Sequence, residues 1–240
     1  MNRNGSALRY APWLARDVAR GPGLLFLVVS IALAVIFWRV KQKTGQVPTV
    51  DVIQAQTMSR VMLIACLIAV GGMVSIDVQQ GFYRAWFTKP MAPWWYYLQR
   101  WLLGGVAVLL IPVVYGALLA VLIGGGMGID ADLMRGMALG YLLISSAVFL
   151  ASTLTRWDWL FVFLIATAQG GLAGLATMGV ELPTVVNAVY RVLPPFHLIN
   201  PGAELLSGKP LLHVLAYGLA MLVLALLMLV QRPLGSGGRA

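Results

Sequence analysis

The sequence predicts an all-α, polytopic membrane protein with six transmembrane helices, and three observations support this fold class. Hydrophobic residues fill 60% of the 240 positions and charged residues only 10%, whereas soluble proteins carry about 25% charged residues. The apolar residues are concentrated in six runs, each near the roughly 20 residues that cross a bilayer core. The chain has a single cysteine, Cys66, which excludes a disulfide-rich secreted domain. A soluble globule and a disordered chain are excluded by the same composition.

The six predicted spans belong to one transmembrane domain, residues 22–230, and a short cytoplasmic tail follows at 231–240. The second span is the shortest, because Arg60 and Asp77 bracket its uncharged stretch. Charged side chains at such positions can extend toward the membrane surface, so this span can still cross the bilayer. The predicted spans lie near residues 22–40, 58–76, 101–123, 136–155, 159–180 and 211–230.

Residues 1–21 are expected to form an amphipathic helix on the cytoplasmic membrane surface. Leu14 and Val18 are interspersed with Arg16 and Arg20, which is the pattern of a basic helix lying at a lipid interface. The sequence Gly21-Pro22-Gly23 is expected to break the chain between this helix and the first span.

The charge distribution predicts that both termini are cytoplasmic. With the amino terminus inside, the inner loops and tails hold ten of the seventeen Lys and Arg and three of the eight acids. This orientation gives the excess of basic residues that cytoplasmic loops carry, although Arg39, Lys41 and Lys43 lie outside. We therefore interpret the net charge of +9 as topology and not as nucleic-acid binding, and we expect a bacterial inner-membrane protein.

Two segments between spans have unusual composition. Residues 77–96 are rich in aromatic residues and are interrupted by prolines, which predicts a helix, a turn and a second helix on the cytoplasmic side. Residues 181–209 are too apolar for a free loop and hold too many prolines for a span, so we expect short re-entrant helices in the outer leaflet. An aromatic belt at headgroup level is expected from Trp94, Trp95, Tyr96, Tyr97 and Trp101.

The sequence contains no motif of an enzyme or a metal site. His197 and His213 are too far apart for an HExxH pair, and there is no GxSxG elbow. The segment GAELLSGKP differs from a nucleotide-binding loop, because five residues separate its glycines and Pro210 follows Lys209. We expect no catalytic residue and no bound cofactor or metal in this chain.

Uncharged polar residues inside the spans are candidates for a transport pathway, since burying them in lipid is costly. For the hydroxyl groups, hydrogen bonding between packed helices is the stronger explanation. For Gln169 both explanations stay open, because a carboxamide beside Gly170, Gly171 and Gly174 can pack against a helix or line a route. The pathway candidates are Tyr141, Ser145, Ser146, Thr167 and Gln169.

The segment after the second span resembles the permease subunits of ABC-2 type transporters. Those proteins carry a Gly, then an Arg or Lys, then Lys-Pro or Thr-Pro before the third span, and Gly81, Arg84, Lys89 and Pro90 match this order. The resemblance extends to the surface helix, the six spans, the short turn between spans four and five, and the outer segment before the last span. The outside cluster from Arg39 to Lys43 and the very short third outer loop depart from the best-known members.

The resemblance implies that two permease copies pair, as a homodimer or heterodimer, and that each docks on a separate ABC subunit that binds ATP and Mg. The surface helix and the segment after span two would make this contact, although the aromatic residues there also fit a membrane belt. The coupling candidates are Gly81, Tyr83, Arg84, Trp86, Phe87, Lys89 and Pro90, with a second cytoplasmic turn at Arg156, Trp157 and Asp158.

We therefore expect a permease for ATP-driven export of an amphipathic or lipid-like substrate, in contact with membrane lipids. A haem-delivery or assembly subunit, similar to those of cytochrome c maturation, is the alternative. A stand-alone intramembrane enzyme is disfavoured, because no nucleophile and base are paired in any span.

Overall fold

The computed structural model describes residues 11–81, 92–179, 183–199 and 208–231. Within these ranges the secondary structure is entirely helical, and six helices are long and apolar enough to cross a membrane. The fold class predicted from composition and apolar runs is confirmed at this level. The elements are α1 (Ala11–Val18), a π-helical turn (Ala19–Gly23), α2 (Leu24–Thr44), α3 (Val50–Val70), α4 (Ser75–Gln79), α5 (Pro93–Ile123), α6 (Ala131–Leu154), α7 (Asp158–Thr177), α8 (Thr184–Val192), a 3-10 turn (Phe196–Leu198) and α9 (Gly208–Gln231).

The predicted break at Gly21-Pro22-Gly23 is wrong, because the helix runs through it. The π-helical turn Ala19–Gly23 joins α1 to α2, and Pro22 lies inside this turn. A side chain at position 23 would lie 3.1 Å from the carbonyl oxygen of Val18, so glycine there permits the close approach. The wider π turn thus accommodates the proline without ending the helix. Leu14 and Val18 are buried, and α1 packs along α5.

The second span begins earlier than predicted. The helix α3 starts at Val50, eight residues before the expected boundary, and Arg60 lies at its midpoint. The first turns of α3 are buried by protein, since Ile53, Gln54 and Met58 are fully enclosed. Polar residues in these turns have hydrogen-bond partners inside the bundle, so α3 can include them. Its sequence therefore lacks the long uncharged run that marks the other spans.

The expected aromatic belt is only partly at the surface. Trp94 is exposed, but Tyr96, Tyr97 and Trp101 are buried within the bundle. Their burial follows from the length of α5, whose 31 residues span about 46 Å, and from the packing of its first turns under α1. The belt prediction is therefore wrong for these three side chains.

The helix α6 occupies the centre of the bundle and packs against α3, α5, α7 and α9, while α2 lies on the far side of α5. Small and aromatic residues make this packing possible. Side chains at Gly104 and Gly105 would collide with the ring of Tyr141, whose hydroxyl donates a hydrogen bond to the carbonyl oxygen of Trp101. A side chain at Gly218 would meet Leu142.

Between α7 and α9 the structure describes a short helix and a 3-10 turn, in the region where short outer helices were expected. On α8 the exposed valines are Val185, Val189 and Val192, which share one face. Tyr217 on α9 donates a hydrogen bond to the carbonyl oxygen of Val192, and His213 stacks on the same tyrosine. Helix α8 is thus attached to the bundle at its carboxyl end and presents apolar side chains outward.

Candidate functional site

The end of the bundle predicted to be cytoplasmic contains a sharp elbow between α3 and α4. The chain turns at residues 71–74, and Gly72 adopts a φ of 70°, which favours glycine. A side chain at Gly71 would collide with the carbonyl oxygen of Leu67, and one at Gly72 would collide with Ile76. Two glycines are therefore required for α4 to leave the axis of α3 at this point.

Asp158 holds this elbow against the turn between α6 and α7. The Gly72 N–H donates to Asp158 Oδ2 at 2.8 Å, and the Trp159 N–H donates to Asp158 Oδ1 at 2.8 Å. Asp158 is 0% exposed, and the contact with Gly72 is buried while the contact with Trp159 is partly buried. Its carboxylate lies at the first position of α7, where the partial positive charge of the helix stabilises it. The second predicted cytoplasmic turn is thus tied directly to the elbow.

A second set of contacts ties α4 to the start of α5. Arg100 Nη1 lies 3.4 Å from Asp77 Oδ2, and it also donates to the carbonyl oxygen of Met73 at 3.4 Å. The Tyr97 hydroxyl donates to the same Asp77 oxygen at 3.2 Å. Asp77 is buried, so the pair is shielded from water and loses less strength to screening than a surface ion pair. Helix α4, which precedes the predicted coupling segment, is therefore held against the first turns of α5, which follow it.

The predicted coupling residues belong to two parts of the chain, the segment after α4 and the turn between α6 and α7. Gly81 is described and follows α4 with a φ of 70°. In the turn between α6 and α7, the Arg156 guanidinium lies 5.4 Å from the ring centre of Trp157, and Trp157 is 53% exposed. Arg156 and Trp157 thus present a cation and an aromatic ring at the surface of the bundle, as interface residues often do. The coupling candidates outside the described residues are Tyr83, Arg84, Trp86, Phe87, Lys89 and Pro90.

Three of the pathway candidates lie inside the helical packing of α6. Tyr141 donates to the backbone of α5, and the Ser145 hydroxyl donates to the carbonyl oxygen of Tyr141. Ser146 is fully buried, and its Oγ has no hydrogen-bond partner among the described residues. The hydrogen bond of Tyr141 to α5 fits the interhelical explanation given for hydroxyl groups, whereas that of Ser145 stays within α6.

The two pathway candidates on α7 face opposite ways. Gln169 is 0% exposed, and its Oε1 accepts a hydrogen bond from the Phe196 N–H at 3.0 Å. Gln169 thus holds the 3-10 turn of the outer segment against α7. Thr167 is exposed, as are Gly170 and Gly171, where an added side chain would meet no atom within 4 Å.

An open cleft lies between α3 and α7 above the elbow. The two helices approach each other at Gly71, where an added Cβ would lie 3.6 Å from the Cβ of Trp159. Beyond this contact they enclose a groove of about 500 Å³. The groove is lined mainly by apolar side chains, with polar groups at the elbow: Ile64, Leu67, Ile68, Gly71, Gly72, Ser75, Ile76, Gln79, Arg156, Asp158, Trp159 and Phe163.

Sequence reasoning missed two polar residues of α3. Gln54 is fully buried and donates to the carbonyl oxygen of Pro112 at 2.8 Å, and Arg60 is exposed at the middle of the helix. Gln54 was assigned outside the predicted span, residues 58–76, because the boundary was placed near the start of the uncharged run, and Arg60 was placed at the edge of that run. Gln54 lies four residues from the buried Met58, and Arg60 lies four residues from Ile64 in the cleft. This helical spacing is a signal in the sequence that predicts a longer α3.

Among the described residues, no group of three or more His, Cys, Asp or Glu side chains is placed to hold a metal ion. Neither a known protein family nor a curated protein sequence matches this chain.

Proposed function

We propose that this chain is the permease subunit of an ABC transporter of the ABC-2 type. The proposal is supported by six membrane-length helices together with the order of Gly81, Arg84, Lys89 and Pro90 in the segment after the second of them. In this assignment both termini are cytoplasmic and the protein lies in a bacterial inner membrane. A second permease copy completes the pathway, and a separate subunit binds ATP with Mg.

The observation that carries the proposal is the linkage of both cytoplasmic elements through the elbow. Asp158 ties the turn between α6 and α7 to Gly72, and Asp77 ties α4 to Arg100 at the start of α5. A force applied by a partner to residues 82–91 reaches α3, α5 and α7 through these contacts. Rigid helices joined by buried hydrogen bonds move together, which is what conversion of ATP-driven closure into helix movement requires.

The exported substrate is proposed to be amphipathic or lipid-like. The walls available to it are apolar with few polar groups, as in the cleft between α3 and α7. Export would follow from movement of one permease copy relative to the other, which alternates access to the two sides of the membrane.

The proposal is tested by co-purification with the ATP-binding subunit encoded by a neighbouring reading frame. In the full complex, Arg84→Glu should reduce co-purification or ATPase stimulation at least about tenfold, because a charge reversal adds repulsion at the interface. Arg135→Glu is the matched control, since Arg135 is exposed at the opposite end of the bundle. Membrane insertion should be equal in both variants.

Equal loss of ATPase binding in Arg84→Glu and Arg135→Glu would refute the assigned docking surface. Recovery of the chain from membranes without any ATP-binding subunit would refute the permease assignment itself.

A further inference from the structure

The cleft between α3 and α7 combines a polar end with apolar walls. At the elbow end, Arg156 is exposed, and Ser75 lines the groove although it is 93% buried. The Oγ of Ser75 has no hydrogen-bond partner within the described part of the chain. That oxygen has almost no accessible surface of its own, so Arg156 is the cationic group that a ligand in the groove can reach.

At this end of the groove Arg156 provides a cation that can bind an anionic group. Arg156 forms no ion pair within the described ranges, where Arg100 and Asp77 are the one pair found. Asp158 also lines the groove, but both of its oxygens already accept backbone hydrogen bonds. The guanidinium of arginine matches phosphate and carboxylate oxygens in a bidentate geometry.

The remaining walls fit a hydrocarbon chain. Ile64 and Ile68 on α3 face Phe163 on α7 across the groove. Ile64 and Ile68 are exposed on a helix that is long enough to cross a membrane, so their side chains are available to lipid. On α3 the apolar wall ends at Arg60, eight residues and about 12 Å beyond Ile68. The groove of about 500 Å³ lies in the size range of small-molecule sites and can hold part of an acyl chain, but not a folded peptide segment.

We propose that the cleft between α3 and α7 is a binding site for an anionic phospholipid of the surrounding bilayer. The lipid phosphate binds Arg156, and one acyl chain lies between Ile68 and Phe163. The acyl chain extends out of the cleft before it reaches Arg60. This site does not depend on the proposed export function, because it concerns binding to the chain alone.

The test is native mass spectrometry of the full chain in detergent with added phosphatidylglycerol, phosphatidylcholine of the same acyl chains, or inorganic phosphate. We expect one phosphatidylglycerol to bind about tenfold more tightly than phosphatidylcholine, the ratio that about 1.4 kcal/mol produces. Arg156→Gln should remove this preference, and Arg156→Lys should restore part of it. Ile68→Trp should weaken both lipids, because the indole fills the groove.

Two matched controls keep the result specific to the cleft. Arg16→Gln removes an exposed arginine from α1, and Ile36→Trp adds the same bulk to an exposed position of α2. Neither control should change lipid binding.

Three results would overturn the proposal. The first is equal binding of the two lipids to the unmodified chain. The second is the same loss in Arg156→Gln as in Arg16→Gln, and the third is displacement of the lipid by inorganic phosphate at equal concentration, which would indicate a simple anion site. If Ile68→Trp does not fold, Ile68→Phe gives a smaller change of volume, and unchanged lipid binding in that variant counts against the acyl-chain position.

Discussion

Replacing Asp158 by Ala should destabilise the elbow more than any surface substitution on the same end of the bundle. The carboxylate accepts two backbone hydrogen bonds, from Gly72 and Trp159, each at 2.8 Å, the first buried and the second partly buried. A hydrogen bond to a charged group contributes about 1.5–3 kcal/mol, and losing one partner leaves the buried N–H unsatisfied. We expect the free energy of unfolding to fall by about 2–4 kcal/mol, since contributions within one group are not additive.

The assay is reversible unfolding of the purified chain in mixed micelles, followed by helical circular dichroism. Asp158→Asn keeps one acceptor oxygen and should lose about half as much as Asp158→Ala. Asp132→Ala is the control, because Asp132 is exposed in the first turn of α6 and should change stability by less than about 1 kcal/mol. An Asp158→Ala variant as stable as the Asp132→Ala variant would show that the carboxylate does not hold the elbow.

Four further experiments test other parts of the structure. Gly72→Ala should lower the free energy of unfolding by about 2 kcal/mol in the same assay, because it adds a collision with Ile76 to a strained φ of 70°. Gly45→Ala is its control and should cost about half as much, because Gly45 has a φ of 68° but open space around it. Gln169→Leu should release the outer segment and increase proteolysis within it, since the Phe196 N–H loses its acceptor; unchanged proteolysis would contradict this role. Arg60→Leu should insert at least as well as the unmodified chain yet lose transport, because an arginine inside a membrane helix is retained for function; normal transport would disprove that reason. In a background without Cys66, a cysteine at position 126 should react with an impermeant thiol reagent from outside and one at position 156 only after lysis, and the reverse pattern would invert the topology.

The structure changes how Gln169 is understood. From the sequence, a carboxamide among three glycines could equally pack against a helix or line a pathway. Its oxygen accepts the Phe196 N–H, while Gly170 and Gly171 are exposed next to it. The glycines and the glutamine therefore belong to different faces of α7, which sequence adjacency cannot reveal.

The sequence by itself determined the number of membrane-length helices, because burying apolar surface away from water requires runs of about 20 residues and such runs are local. It also located the turn at Thr155–Asp158 and the irregular segment before α9, where prolines and glycines interrupt helical periodicity.

Only the tertiary structure decided where α3 begins and what its polar residues do. Gln54 can lie inside the bundle because the carbonyl oxygen of Pro112 accepts its hydrogen bond, and that partner is 58 residues away. The same holds for Asp158 and Gly72, which are 86 residues apart and form the link across the elbow. A polar residue in a membrane helix is tolerated or excluded according to the group it meets across the bundle. That meeting depends on helix packing and not on any pattern within the helix itself.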